Sequence, residues 1–315
     1  MADALVDRLD QTIDAILARR DASSALADSE LGPLAVLAAE LRHAPSAAFK
    51  SRLRANLERR TTMTMLLDTT QIRAGFTTVT PYMRVREAGL LDFLTSVFGA
   101  EETFSIKGAV QREVRVGDSM LMIGEGGAEG AVPFSPAAFH IYVPDADAAF
   151  QRALAAGGTS IGEPEDRPYG ERAGFIMDRF GNHWYISTYL GASYVPEGRR
   201  TITPFIHTKG VPAYIEFLKR AFNAEEEFRH EAEGIVRHIR LHIGNGAIEM
   251  GDTQGTAEPM RTAFYLYVLD ADALYAQAVA AGAKPLSPPT DQSYGDRVGR
   301  VEDAQGITWF IARPA

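Results

Sequence analysis

Apolar and polar residues alternate with period two along TITPFIH (201–207), IVRHIRLHI (235–243) and AIEMG (247–251). That pattern predicts strands with one buried face. VPAYIEFLKRAF (211–222) instead repeats its apolar positions at helical spacing, and Pro212 is tolerated because it falls in the first turn. Asp270 is a candidate N-cap for a helix over DADALYAQAVAAGA, and Asp145 plays the same part earlier in the chain. The stretch HIRLHIGNGAIEMG (238–251) reads as a hairpin. Asn-Gly between alternating apolar residues favours a two-residue type I′ turn at Asn245-Gly246, which sets His242 opposite Glu249. On this reading His238, Arg240, His242 and Glu249 share one face of the sheet. Ile239, Leu241, Ile243, Ile248 and Met250 point into the core.

The same order of elements occurs twice. YGERAGFIMDRFGNHWYIS (169–187) and YGDRVGRVEDAQGITWFIA (294–312) share 8 of 19 residues without a gap. TPYMRV (80–85) matches TPFIHT (203–208), FGAEETF (98–104) matches FNAEEEF (222–228), and FHIYVPDADA (139–148) matches FYLYVLDADA (264–273). The offset stays between 123 and 127 residues. An ordered repeat of this kind predicts two homologous domains, 77–190 and 200–315, joined by the turn-rich GASYVPEGRR. Each repeat reads as strand, helix, three strands, and then the same series again. Residues 1–75 differ, forming a helical N-terminal segment and connector. Leu5, Leu9, Ile13 and Leu17 form one helical stripe, Leu34, Leu37 and Leu41 a second, and Phe49, Leu53 and Leu57 a third. Such short amphipathic helices are expected to dock on the body or to self-associate through residues 1–60.

Composition narrows the function classes. The 315 residues carry a net charge of −9 and no cysteine, which removes disulfides, thiolate metal sites and cysteine nucleophiles. Residues 1–60 hold 9 basic and 9 acidic side chains, so the rest of the chain bears the whole excess of acid. An acidic body repels phosphate backbones, and no nucleic-acid partner is expected. No apolar run is long enough to span a bilayer, and the acidic start lacks a signal-peptide h-region. Neither a membrane partner nor export is expected, and the cytoplasm is the default location. IGEGGAEGA (123–131) follows a strand as a phosphate loop would, but it lacks GxGxxG spacing and leads to Pro133 in place of a helix.

Two features carry a family resemblance: the TP(Y/F) strand followed by F(G/N)AEE, and the closing YG(E/D)R…D…G…W.I string. Paired βαβββ modules with these strings resemble the vicinal-oxygen-chelate superfamily, the glyoxalase/bleomycin-resistance/dioxygenase fold, and most closely its PhnB-like branch. The resemblance implies an α+β fold of tandem domains. Each domain curls its two modules into an open barrel with a concave ligand cleft, and the two pair as an intramolecular pseudo-dimer. Metal-dependent members place ligands at positions that correspond to Thr80, Met122, His140 and Tyr185 in the first repeat. In the second they correspond to Thr203, Glu249, Tyr265 and Phe310. Each set keeps one good ligand, His140 or Glu249. Since a nitrogen–oxygen metal site normally needs three protein ligands, no metal or other cofactor is assigned. A divalent ion at Glu249 and His242 is the minor reading.

The resemblance leaves two readings of function. One is a protein that binds a planar or carbonyl-containing small molecule through His207, His238, Arg240, Tyr265 and Tyr267 of the second repeat and His140, Tyr142 and Tyr185 of the first. The other is a lyase, isomerase or hydrolase with Glu249 and His242 as its acid/base pair, because a carboxylate beside an imidazole raises its pKa and fixes its tautomer. In either case the second repeat's cleft is expected to work and the first repeat's to be degenerate.

Overall fold

The computed structural model describes residues 72–73, 75–105, 111–126, 134–253 and 259–314. The helices expected over 1–60, the Thr-rich connector at 61–70 and most of the Gly-rich loop lie outside the described residues. Four βαβββ modules follow one another. The first holds β1 (Val79–Val85), α1 (Leu90–Phe98), β2 (Glu101–Ser105), β3 (Gln111–Val116) and β4 (Ser119–Glu125). The second holds β5 (Ala138–Tyr142), α2 (Ala146–Ala155), β6 (Thr159–Arg167), β7 (Glu171–Met177) and β8 (His183–Tyr189). The third holds β9 (Ile202–Thr208), α3 (Val211–Phe222), β10 (Glu225–Ala232), β11 (Ile235–Ile243) and β12 (Gly246–Asp252). The fourth holds β13 (Ala263–Tyr267), α4 (Ala271–Ala280), β14 (Lys284–Asp291), β15 (Arg297–Glu302) and β16 (Thr308–Arg313). None of the described helices is long and apolar enough to cross a membrane.

The helices form where local chemistry favours them. Asp145 and Asp270 accept hydrogen bonds from Ala148 N and Ala273 N at 2.9 Å, capping α2 and α4; such caps are typically worth ~1 kcal/mol. α3 buries Val211, Tyr214, Ile215, Leu218 and Phe222 along one stripe and ends at Asn223, whose φ of 57° makes the left-handed stop. Arg172 and Arg297 of the YG(E/D)R strings hold Asp147 and Asp272 in the first turns of α2 and α4, bracing the fold as ion pairs.

The eight-stranded sheets do not follow the repeats. One runs β14-β15-β16-β13-β1-β4-β3-β2 and the other β10-β11-β12-β9-β5-β8-β7-β6. Each therefore joins one module of the first repeat to one of the second. The joints are antiparallel: β1 on β13, with Thr80 opposite Tyr265, and β5 on β9, with His140 opposite Thr203. This corrects the expectation that each repeat closes a barrel of its own.

The cores do follow the repeats. Phe93, Phe139, Phe150 and Trp184 of the first repeat pack in one cluster, and Phe222, Phe264, Leu274 and Trp309 of the second in another. Each fully buried tryptophan donates its indole N–H to a buried aspartate of the D…G…W string, Trp184 to Asp178 at 2.9 Å and Trp309 to Asp303 at 2.8 Å. Each of these two clusters is thus built mainly from one repeat, with Val79 and Ile202 crossing over, and concave faces are shared between the repeats.

Candidate ligand cleft

The hairpin that opens the site turns one residue earlier than Asn-Gly predicts. Ile243 pairs with Gly246, His242 with Ala247, and Arg240 with Glu249. Gly244 and Asn245 make the turn, with φ of 58° at Gly244 and no positive φ at Asn245, as in a type II′ turn. The reason is tertiary. Asn245 Oδ1 accepts from Thr78 N at 2.8 Å and from Thr78 Oγ1 at 3.1 Å, so its side chain locks this turn onto the first repeat. The first repeat mirrors it: Asp118, after Gly117, accepts from Thr201 N at 2.8 Å. Because pairing shifted by two in register sum, the residues keep their faces, and only their partners change.

On the concave face of the β10–β6 sheet, His140 from β5 and Glu249 from β12 meet, with Nδ1 3.2 Å from Oε2. Arg240 Nη1 donates to the other oxygen of Glu249 at 2.8 Å, and His238 Nε2 stands 3.5 Å from Oε2. On the far side of His140, Nε2 lies 3.0 Å from Ser187 Oγ and 3.2 Å from Glu171 Oε2. Tyr142 donates to Glu171 Oε1 at 2.7 Å. The floor is thus a continuous chain, Arg240–Glu249–His140–Glu171–Tyr142, spanning both repeats. Beside it Tyr185, Phe205 and His207 form an aromatic wall. Tyr185 O–H lies 2.5 Å from His207 Nε2, and the Tyr185 and Phe205 rings are 5.3 Å apart. Next to Arg240 a crevice of about 80 Å³ opens between β1 and β9, with Met120 and Ala247 both in its lining.

Burial and pairing compete at each titratable group. Burial alone would lower the pKa of His140, but hydrogen bonds to Glu171 and Glu249 and their charges override it and raise it to about 9. Burial pushes Glu249 up, yet His140 and His238 hold it well below the usual carboxylate range. Glu171 is likewise held low, against its burial, by His140 and Tyr142. Burial, and then the neighbouring His183, lower His207 to about 4, leaving a neutral imidazole on the wall.

These donors do not suit a metal ion. Both ring nitrogens of His140 are engaged, and the protonated form favoured there has no lone pair to offer. One oxygen of Glu249 is taken by Arg240, a side chain only 3% exposed, which fixes a positive charge where a cation would sit. The other two positions implied by the resemblance are Tyr185 and Thr203, and Tyr185 is bonded to His207.

The structure gathers most of the sequence-derived residues here: Glu249, His140, Arg240, His238, Tyr142, Tyr185 and His207. It does not bring His242 to Glu249. His242 sits one rung nearer the turn and bonds Glu227 at 2.5 Å. Tyr265 and Tyr267 lie on the other sheet, inside an apolar cluster with Tyr82, Met122, Phe310 and Phe76. Thr80, Met122, Tyr265 and Phe310 are all buried there. The expectation of one working and one degenerate cleft is therefore recast: His140 and Glu249, one from each repeat, share a polar cleft, and the aromatic cleft combines the other halves. Sequence reasoning missed Glu171 and Glu227. Glu171 was visible in the sequence as the acid of YG(E/D)R.

The model of the Glyoxalase/Bleomycin resistance protein/Dioxygenase superfamily matches residues 88–186 and 203–311. Uncharacterized proteins of Mycobacterium bovis (Mb0911c) and Mycobacterium tuberculosis (Rv0887c) are each 32% identical over 120 residues, covering 34% of this chain and 79% and 71% of theirs. The crystal structure of glyoxalase I from Zea mays superposes with a TM-score of 0.57 at 13% identity, over 74% of this chain and 91% of that one. At that identity the likeness is one of fold.

Proposed function

Because the chain belongs to the glyoxalase/bleomycin-resistance/dioxygenase superfamily, we propose that it is a small-molecule-binding member, taking a planar or carbonyl-containing ligand in the β10–β6 cleft without a metal. One observation carries this reading: the floor is a charge-paired chain of Arg240, Glu249, His140 and Glu171, beside an aromatic wall. Groups already paired with one another are pre-organised, so a ligand can be bonded without reorganising them. Tyr185, Phe205 and the neutral His207 supply faces on which a planar ring stacks. The repeats act as an intramolecular pseudo-dimer in building this cleft. The TP(Y/F) and F(G/N)AEE strings favour the PhnB-like branch within the superfamily.

A second reading is supported by the position of His140. A protonated imidazole between two carboxylates suits proton transfer, so an acid/base role belongs to His140 and Glu249 in place of His242 and Glu249. Thermal-shift and equilibrium-dialysis screens with planar aromatic carbonyl compounds test the binding reading, with mass spectrometry of the recovered compounds to detect turnover. Unchanged compound bound by the native chain and not by Phe205→Ala supports the binder. Converted compound supports the second reading, and no binding by any such compound overturns both.

A further inference from the structure

The aromatic cleft on the other sheet is occupied from within. Arg73, on the segment preceding β1 and with 42% of its side chain exposed, lays its guanidinium against this face so that Nη2 donates to Glu113 Oε1 at 2.6 Å and to Tyr267 O–H at 3.0 Å. The same guanidinium lies 4.5 Å from the centroid of the Phe76 ring and 5.8 Å from that of Tyr267. Glu113 is 8% exposed and Tyr267 1%, so both partners are committed to this face.

The two sheets show why the cation is needed. Glu113 on β3 faces Met122 on β4, at the rung where Arg240 faces Glu249 in the polar cleft. In the polar cleft, arginine and carboxylate come from adjacent strands and neutralise each other. In the aromatic cleft the arginine position holds the carboxylate and the carboxylate position holds an apolar side chain, so the sheet places no cation across from Glu113. The arginines nearest in sequence are engaged elsewhere, Arg115 with Glu101 and Arg112 with Glu102. A carboxylate with a phenol beside it and aromatic faces around it matches a planar guanidinium: the fork meets the carboxylate oxygen and the plane meets the rings.

We infer that the aromatic cleft is a guanidinium-binding site, with Glu113, Tyr267 and Phe76 as its recognition groups and Arg73 as a tethered occupant. A free ligand bearing a guanidinium competes with Arg73. Because the tethered group acts at high effective concentration, the native chain binds such ligands weakly until Arg73 is displaced.

The test is chemical rescue in the full-length chain. Arg73→Ala leaves Glu113 without its cation and lowers the thermal midpoint. Guanidinium chloride at low millimolar concentration, agmatine, and a blocked Gly-Arg-Gly peptide are then titrated, with urea and sodium chloride as controls. At free ligand roughly ten times its Kd, the folded-to-unfolded ratio rises about tenfold. The expected result is that the guanidinium compounds restore the midpoint of Arg73→Ala, shift the native chain much less, and lose their effect when Glu113→Gln is added. Stronger rescue by agmatine assigns a small-molecule ligand, and stronger rescue by the peptide assigns an arginine of a polypeptide. No rescue, equal rescue by urea or sodium chloride, or rescue that survives Glu113→Gln overturns the inference. If Arg73→Ala does not fold, the same titration on Arg73→Gln, whose amide can still bond Glu113, decides by the same criteria.

Discussion

Replacing His140 by glutamine should remove the alkaline limb of the protein's stability profile. In the folded chain His140 titrates at about 9, against 6.5 for an unperturbed histidine. Between those values the folded state keeps a proton that the unfolded state has released, so raising the pH favours unfolding. The stabilisation is complete below pH 6.5 and is lost as pH rises through about 9. At about 1.4 kcal/mol per pH unit the loss is about 3 kcal/mol, a large part of a typical domain's stability. Below 6.5 the slope has the opposite sign. His207, lowered to about 4, gains a proton on unfolding, and the depressed Glu249 and Glu171 lose their advantage as they protonate at lower pH still. Stability should therefore peak near the unperturbed histidine value. The assay is urea unfolding of the native chain and His140→Gln from pH 5 to 8.5, below the range where lysine and tyrosine titrate in unfolded chains. The native chain should lose most of the ~3 kcal/mol between 6.5 and 8.5. His140→Gln should start lower and stay flat. A native profile that is level or rising there, or a variant with the same slope, refutes the assignment of the proton to His140 between Glu171 and Glu249.

Glu249→Gln and Met122→Gln occupy matching rungs of the two sheets, and ligand binding should weaken at least about tenfold only in the first, because only it breaks a buried charge pair in the polar cleft. Equal loss in both, measured by dialysis, would move the site. Gly244→Ala should cost roughly 1–3 kcal/mol in urea unfolding, since φ is 58° and an added Cβ would sit 2.2 Å from Thr78 Oγ1. Gly117→Ala, facing Thr201 in the same way, should cost a similar amount; a neutral result at either glycine contradicts the turn assignment. Asp178→Ala should destabilise by roughly 3 kcal/mol or more, because it orphans the Trp184 indole, the Asn182 amide and two backbone N–H groups in the core. A loss below about 1 kcal/mol would show that water replaces the carboxylate there.

What could be read from the chain divides along a physical line. Period-two and helical patterns, the capping aspartates and the repeated strings depend on neighbours close in sequence, and they recover the βαβββ modules and their order. Sheet pairing depends on which of four similar edges meet. TPYMRV, FHIYV, TPFIHT and FYLYV have nearly the same alternation, so each satisfies any of the others equally well at the level of pattern. The observed pairing is accompanied by contacts far apart in the chain that tie the first module to the third, in the other sheet: Asn245 on Thr78, and Asp118 on Thr201. Those same contacts moved the hairpin turn to Gly244-Asn245, because an asparagine whose oxygen caps another strand has more to gain there than at the first position of a type I′ turn. A comparison of the copies carries a trace of it: Gly117-Asp118 and Gly244-Asn245 align, and Asn-Gly itself occurs only in the second.

The consequence for function follows from that exchange of modules. His140 and Glu249 looked like single survivors of two eroded sites when each was assigned to its own repeat. Once β5 pairs with β9, they become neighbours 3.2 Å apart in one cleft. The complementary cleft then receives Met122, Tyr265 and Phe310, and it closes on an arginine from the connector. Duplication inside one chain frees each copy from having to supply a whole site, so ligand-facing residues can diverge in opposite directions while each repeat's main core keeps the same Asp–Trp buttress. Arg240 opposite Glu249, against Glu113 opposite Met122, is that divergence at one rung. The first neutralises itself and leaves a paired floor for a ligand. The second needs a cation from outside the sheet, and Arg73 supplies it.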